Sequence, residues 1–179
     1  MIATMEKINE KEKRPRSEKL VRFQDCDPLG HLNNAKYIHY FMNAREDHMV
    51  EYYGENLYEI GGKSNGGWVV AKNEISYLYP AIANERLIIE TALISLGKKN
   101  MVNEAVIYDK DRTHIKVVSW VHFTFVNKLG RPISHSEELQ NFLESILDRD
   151  ALFGIEDFDT RIATLRKKVK EEKRNRYAI

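Results

Sequence analysis

The chain has a single cysteine, Cys26, so it can form neither an internal disulfide nor a cysteine-based zinc site. It has no apolar run near the ~20 residues that a membrane-spanning helix needs. It has almost no net charge, +1 over 179 residues, so no whole-molecule field draws it to nucleic acid or a membrane. The first residues, MIATMEKINEKEKRPRSEK, contain no apolar core of a secretory signal, and a cytoplasmic location is expected. Internal repeats and low-complexity linkers are missing too.

What is present is 42% hydrophobic and 31% charged, the composition of one soluble domain with a real core. Residues 1–19 alternate Lys and Arg with Glu and read as a solvated arm. A short strand is expected at Leu20–Phe23. Pro28 and Gly30 then mark a turn. Asn33 or Asn34 can cap the helix that follows, its side chain accepting from a free first-turn amide. Along that helix Lys36, His39, Asn43, Glu46 and Asp47 form a narrow polar stripe. Tyr37, Ile38, Tyr40, Phe41, Met42, Ala44, Met49 and Val50 cover most of the rest, the pattern of a helix buried on several sides.

After a glycine-rich loop at 61–67 come four strand-like runs: Trp68–Tyr79, Arg86–Leu96, Met101–Tyr108 and His114–Val126. Connections this short suit antiparallel hairpins, so the order reads as a meander. Ser136 can cap a further helix carrying Leu139, Phe142, Leu143, Ile146 and Leu147. From about Phe158 a thin stripe of Ile162, Leu165 and Val169 runs through basic residues, which read as a solvated face. RNA, anionic lipid or a partner subunit are the alternatives for that face. The sum is an α+β layer, an antiparallel five-stranded sheet curled around a long central helix, with extra C-terminal helices. Its boundaries fall at 1–19, 20–130 and 131–179. A lone sheet of this kind leaves an edge open, so a homodimer or dimer of dimers is expected.

Asp25, Asp27 and His31 lie within seven residues, just before the helix. Carboxylates stay ionised beside a helix N-terminus, and the same unpaired amides can hold an oxygen that turns negative during reaction. Such a pair suits hydrolysis of an activated acyl group, the carboxylate attacking directly or drawing a proton from water. Asp and Asn before a helix are also ordinary caps, and Asp25 reads as structural, bonding the turn's own amides. These three side chains could ligate a metal, but nothing else in the sequence supplies matching ligands, and none is expected. Cys26 sits between two carboxylates, which suppress its thiolate and leave it a packing role. GGKS at 61–64 lacks the earlier glycine of a phosphate-binding loop. His114, His122 and His135 read as bland surface or core histidines.

VRFQDCDPLGHLNNAKYIHYFMNARE resembles the signature segment of hot-dog-fold acyl-CoA thioesterases of the 4-hydroxybenzoyl-CoA thioesterase-like group. HLNNAKY also resembles a segment of plant acyl-carrier-protein thioesterases, and ISYLYPA and LIIETALISLGKKNM resemble the group's strands. The resemblance spans roughly residues 20–128. It implies hydrolysis of an acyl-CoA to free acid and CoA, with Asp27 as the catalytic carboxylate and the Asn34 amide polarising the thioester carbonyl. His31 would support the site, Tyr37 would face the acyl end, and Lys98 and Lys99 would meet the CoA phosphates. No cofactor is implied beyond CoA as part of the substrate. A hot-dog hydratase or dehydratase, and a non-catalytic binding module for acyl-CoA or an acyl carrier, are the alternatives. The resemblance gives no role to residues 131–179.

Overall fold

The computed structural model describes residues 11–177, and the first ten residues of the expected arm lie outside it. No helix among the described residues is long and apolar enough to cross a membrane. Among the described residues the first strand is β1 (Arg16–Leu20), and the chain then enters helix α1 (Asn34–Tyr53) through a turn. A short helix α2 (Leu57–Lys63) leads to four strands: β2 (Gly66–Tyr77), β3 (Arg86–Leu96), β4 (Asn100–Asp109) and β5 (Ile115–Asn127). Helices α3 (Glu137–Ile146) and α4 (Phe158–Tyr177) close the chain. The five strands form one antiparallel sheet in the order β1-β3-β4-β5-β2.

Alternation along the strands gives the sheet two apolar faces. The inner face, with Leu87, Ile89, Ala105, Ile107 and Val117, packs on Tyr37, Tyr40, Phe41 and Ala44 of α1. Further along it Leu93, Met101 and Phe125 meet Met49 and the apolar side of α3. The outer face, with Val106, Tyr108, Ile115 and Val118, is covered by Ile162, Leu165 and Val169 of α4. Ser136 caps α3 as its sequence suggests, its hydroxyl accepting from the Leu139 amide.

Four expectations are corrected. The first strand lies at Arg16–Leu20 rather than Leu20–Phe23, because its backbone pairs with Arg86–Glu90 of β3. Charged side chains there belong to a sheet edge and not to a solvated arm. Arg14, just before β1, reaches Asp148, Glu90 and Glu104.

The meander holds only for β3-β4-β5. β2 pairs along its length with β5, and the segment 78–85 carries the chain across the sheet to β3. The glycine-rich loop begins instead as α2. Gly61 is needed there because a Cβ would stand 2.9 Å from the Gly66 carbonyl oxygen where helix and strand cross.

α1 is buried on one side only. Ile38, Met42, Val50 and Tyr52 are 43–53% exposed.

Candidate active site

The turn before α1 is built by its own backbone. The Asp27 amide donates to the His31 carbonyl at 2.8 Å and the Asn33 amide to the Asp25 carbonyl at 2.9 Å. Gly30 takes φ 77°, a left-handed conformation that suits glycine. His31 bridges to Ile82, and the Leu32 amide donates to Ala81. The segment between β2 and β3 therefore clamps the turn to the Arg86 end of the sheet.

Asp25 and Asp27 divide the work differently from the expectation that Asp25 bonds the turn amides. Asp27 Oδ1 accepts from the Leu29 amide at 2.9 Å and the His31 amide at 3.1 Å. Its Oδ2 has no partner among the described residues. Asp25 instead accepts from the Tyr40 hydroxyl at 2.9 Å and pairs with Lys36 at 3.2 Å. Burial alone would raise the Asp25 carboxyl; the Tyr40 hydroxyl and the Lys36 ammonium outweigh it and hold it below its usual range. Asp25 is thus tied to α1. Burial, then the charges of Asp25 and Asp27, push the Cys26 thiol up, which fits packing and not nucleophilic chemistry.

Asn33 is the helix cap, its side chain accepting from the Ala35 amide at 2.9 Å. Asn34 follows as the first helical residue, and its amide has no acceptor among the described residues. The free carboxylate oxygen of Asp27 and the free amide of Asn34 thus belong to one turn. His31 lies between them in sequence and is only half-buried.

Tyr37 does not line an open wall. It is 2% exposed, and its hydroxyl accepts from the Ala81 amide at 3.0 Å. Tyr77, which sequence reasoning passed over, holds the exposed place beside it. Its ring stands edge-on to Tyr37 at 5.5 Å, and its hydroxyl donates to the Asn34 carbonyl at 3.1 Å. Its position as the last residue of β2 is the only sequence signal that it sits at the rim.

Lys98 and Lys99 occupy the β3–β4 turn, at the other end of the sheet. The eleven residues of β3 put roughly 33 Å between that turn and the Asp27 end. Within one chain these lysines and the Asp27 turn are not brought together. A cavity of about 640 Å³ between α2 and α3 is also far from Asp27, and its lining includes Glu55, Glu137 and Glu138. Among the described residues no group of three or more His, Cys, Asp or Glu is arranged to hold a metal ion.

A family model described as the thioesterase-like superfamily matches residues 21–143. The chain belongs to that superfamily. The match begins at Val21, just after β1, and contains the whole turn, the sheet from β2 to β5 and most of α3. No curated protein matches the chain in sequence. Solved structures of similar fold include a probable thioesterase, YbaW, from Escherichia coli. It shares 23% identity and a TM-score of 0.65 over 73% of this chain and 97% of that one. A 1,4-dihydroxy-2-naphthoyl-CoA thioesterase from Synechocystis is 14% identical, with a TM-score of 0.65 over 76% of this chain and 98% of that one. A 4-hydroxybenzoyl-CoA thioesterase variant with bound 4-hydroxybenzoyl-CoA is 14% identical, with a TM-score of 0.64 over 73% of this chain and 99% of that one. The fold is therefore the hot-dog of the superfamily, with α4 outside the matched residues.

Proposed function

We propose that this member of the superfamily hydrolyses acyl-CoA thioesters, with Asp27 as the reacting carboxylate. One observation carries the reading: two backbone amides fix Oδ1 of Asp27 while Oδ2 is free, in the same turn as the unpaired Asn34 amide. The thioester carbonyl oxygen accepts from the Asn34 N–H at the positive end of the α1 dipole, where charge developing on that oxygen is stabilised. Oδ2 then draws a proton from a water whose oxygen attacks the carbonyl carbon, or attacks that carbon itself to give an anhydride that water opens. Either way the C–S bond breaks, CoA leaves as its thiol, and the free acid remains. His31, in the same turn, orients the water.

The site is completed by a second copy of the chain. β2 is an edge strand with Val69 and Val70 46–49% exposed, and α1 presents Ile38 and Met42 unburied. Antiparallel pairing of two β2 edges removes the open edge. It also brings the Gly66 end of one sheet beside the Tyr77 end of the other. Lys98 and Lys99 of the partner subunit then approach the end of the sheet that holds Asp27, which gives them access to a CoA phosphate. Tyr37 supports the acyl pocket from beneath Tyr77.

The test is thiol release from short, long and aromatic acyl-CoAs. Asp27→Asn keeps an oxygen acceptor for the Leu29 and His31 amides, so the fold survives. Turnover is expected to fall by at least about a hundredfold, the range seen when an acid–base group is lost. Near-parental turnover by Asp27→Asn would sink the assignment, and hydration of crotonyl-CoA without thiol release would replace it with a hydratase.

A further inference from the structure

The C-terminal half of α4 lies at the same end of the sheet as the Asp27 turn. It borders a cavity of about 180 Å³ whose walls include Tyr79, Thr113, His114, Arg166, Lys170 and Lys173. No carboxylate lines it.

Arg166, Lys170 and Lys173 are spaced i, i+4, i+7, so they share one stripe of the helix. Like charges at this spacing destabilise a helix by a few tenths of a kcal/mol per pair. Lys167 on the neighbouring stripe offsets its charge with Glu171. Arg166, Lys170 and Lys173 have no carboxylate within ion-pair distance among the described residues.

The opposite wall is aromatic. Tyr79 is 49% exposed and stands edge-on to His114 at 5.2 Å. Asp109 holds that histidine through Nδ1 at 2.9 Å, which fixes the ring against Tyr79. A flat exposed ring facing three unpaired cations is a pairing of chemistries that a phosphorylated nucleoside satisfies, the base against the ring and the phosphates against the cations.

The position is consistent with that. Tyr79 is three residues from Ile82, which bridges to His31, and three extended residues span about 10 Å. The turn lies on the α1 face of the sheet and the cavity on its α4 face, so a pantetheine arm joining them passes round the end of the sheet at segment 78–85.

We propose that the α4 cavity binds the 3′-phosphorylated ADP end of CoA, with Arg166, Lys170 and Lys173 on its phosphates and Tyr79 against its adenine. The inference rests on the acyl-CoA reading above. It assigns a use to the part of the chain beyond residue 143, where the superfamily match ends.

The experiment measures binding of adenosine 3′,5′-bisphosphate to the whole protein, which requires no turnover, and steady-state kinetics on acyl-CoA and on the matching acyl-pantetheine. Lys170→Glu combined with Lys173→Glu changes only exposed positions; a thermal melt checks the fold. Expected is a loss of bisphosphate affinity of roughly tenfold or more, weakening with added salt in the parent. KM for acyl-CoA should rise by a similar factor at unchanged kcat, with acyl-pantetheine kinetics unaltered. Equal bisphosphate affinity in parent and variant overturns the site. So does a KM effect seen only with Lys98→Ala and Lys99→Ala, which would move the phosphates to the partner's hairpin. If no acyl-CoA is hydrolysed but bisphosphate binding is lost in the variant, the cavity stands and the hydrolase reading falls.

Discussion

Two buried polar residues set the behaviour of the core. His48 on α1 is fully buried, with Nδ1 2.8 Å from the Thr91 hydroxyl of β3. Burial, helped by the positive charge of Arg45, lowers its pKa to about 4. An unfolded histidine titrates near 6.5. Between those values the unfolded chain binds a proton that the folded chain refuses, so stability rises with pH across that window. The contribution is on the order of 3 kcal/mol, present above about pH 6.5 and lost as pH falls towards 4. Urea denaturation at steps from pH 4 to 7 is expected to show this slope in the parent and a flatter one in His48→Gln.

Glu104 is 1% exposed and accepts from Arg161 through both oxygens at 2.7 Å, from the Trp120 indole at 3.0 Å and from Arg14 at 3.0 Å. Burial favours its neutral form, but the Arg161 and Arg14 cations hold its carboxyl below the usual range. Glu104→Gln leaves Arg161 without its counter-charge under α4, while Arg14 keeps Glu90 and Asp148. It is expected to cost about 3–5 kcal/mol in urea denaturation.

Among the elements, those with local signals are the ones that could be read in advance. α1 begins at a cap residue that only needs the next two amides, and β3 begins and ends where its alternation does. Gly54 ends α1 at φ 68°, as glycine at that position predicts. Asn33→Ala removes the bond to the Ala35 amide and is expected to lower stability by about 1 kcal/mol. The same substitution frees a second amide beside Asn34, so stability and thiol release should be measured on the same preparation.

β1 escaped because its evidence is not local. RSEKL carries no apolar alternation, and only pairing with β3 and the carboxylate of Glu90 makes it a strand. α2 escaped because two glycines disguised a helix whose reason is the close crossing at Gly66. The order of β2 was hidden for the same cause: which of two strands it pairs with is a long-range choice, and β5 matches its length. In the turn before α1, the sequence did not say which aspartate holds the amides. Tyr37 and Tyr77 stand edge-on to one another, and nothing in their local pattern says which one is buried.

At the scale of the whole molecule, one chain offers an open edge and an uncovered helix flank rather than a finished pocket. Val69→Lys together with Val70→Lys puts charge on the β2 edge without touching the turn. Sedimentation is expected to show a monomer, and on the proposal that a second copy completes the site, thiol release should fall with it. A dimer that persists with full activity would require another interface.

Two segments far apart in sequence meet at Glu104: Arg14 precedes the first strand, and Arg161 lies in the last helix. During synthesis the sheet is complete when residue 127 has emerged, yet the carboxylate on its outer face still lacks Arg161. Until α4 arrives that face exposes both a charge and the apolar residues Val106 and Val118 to water. Refolding should therefore show docking of α4 as a separate late step, and ribosome-bound chains ending near residue 150 should be far more susceptible to protease than full-length ones.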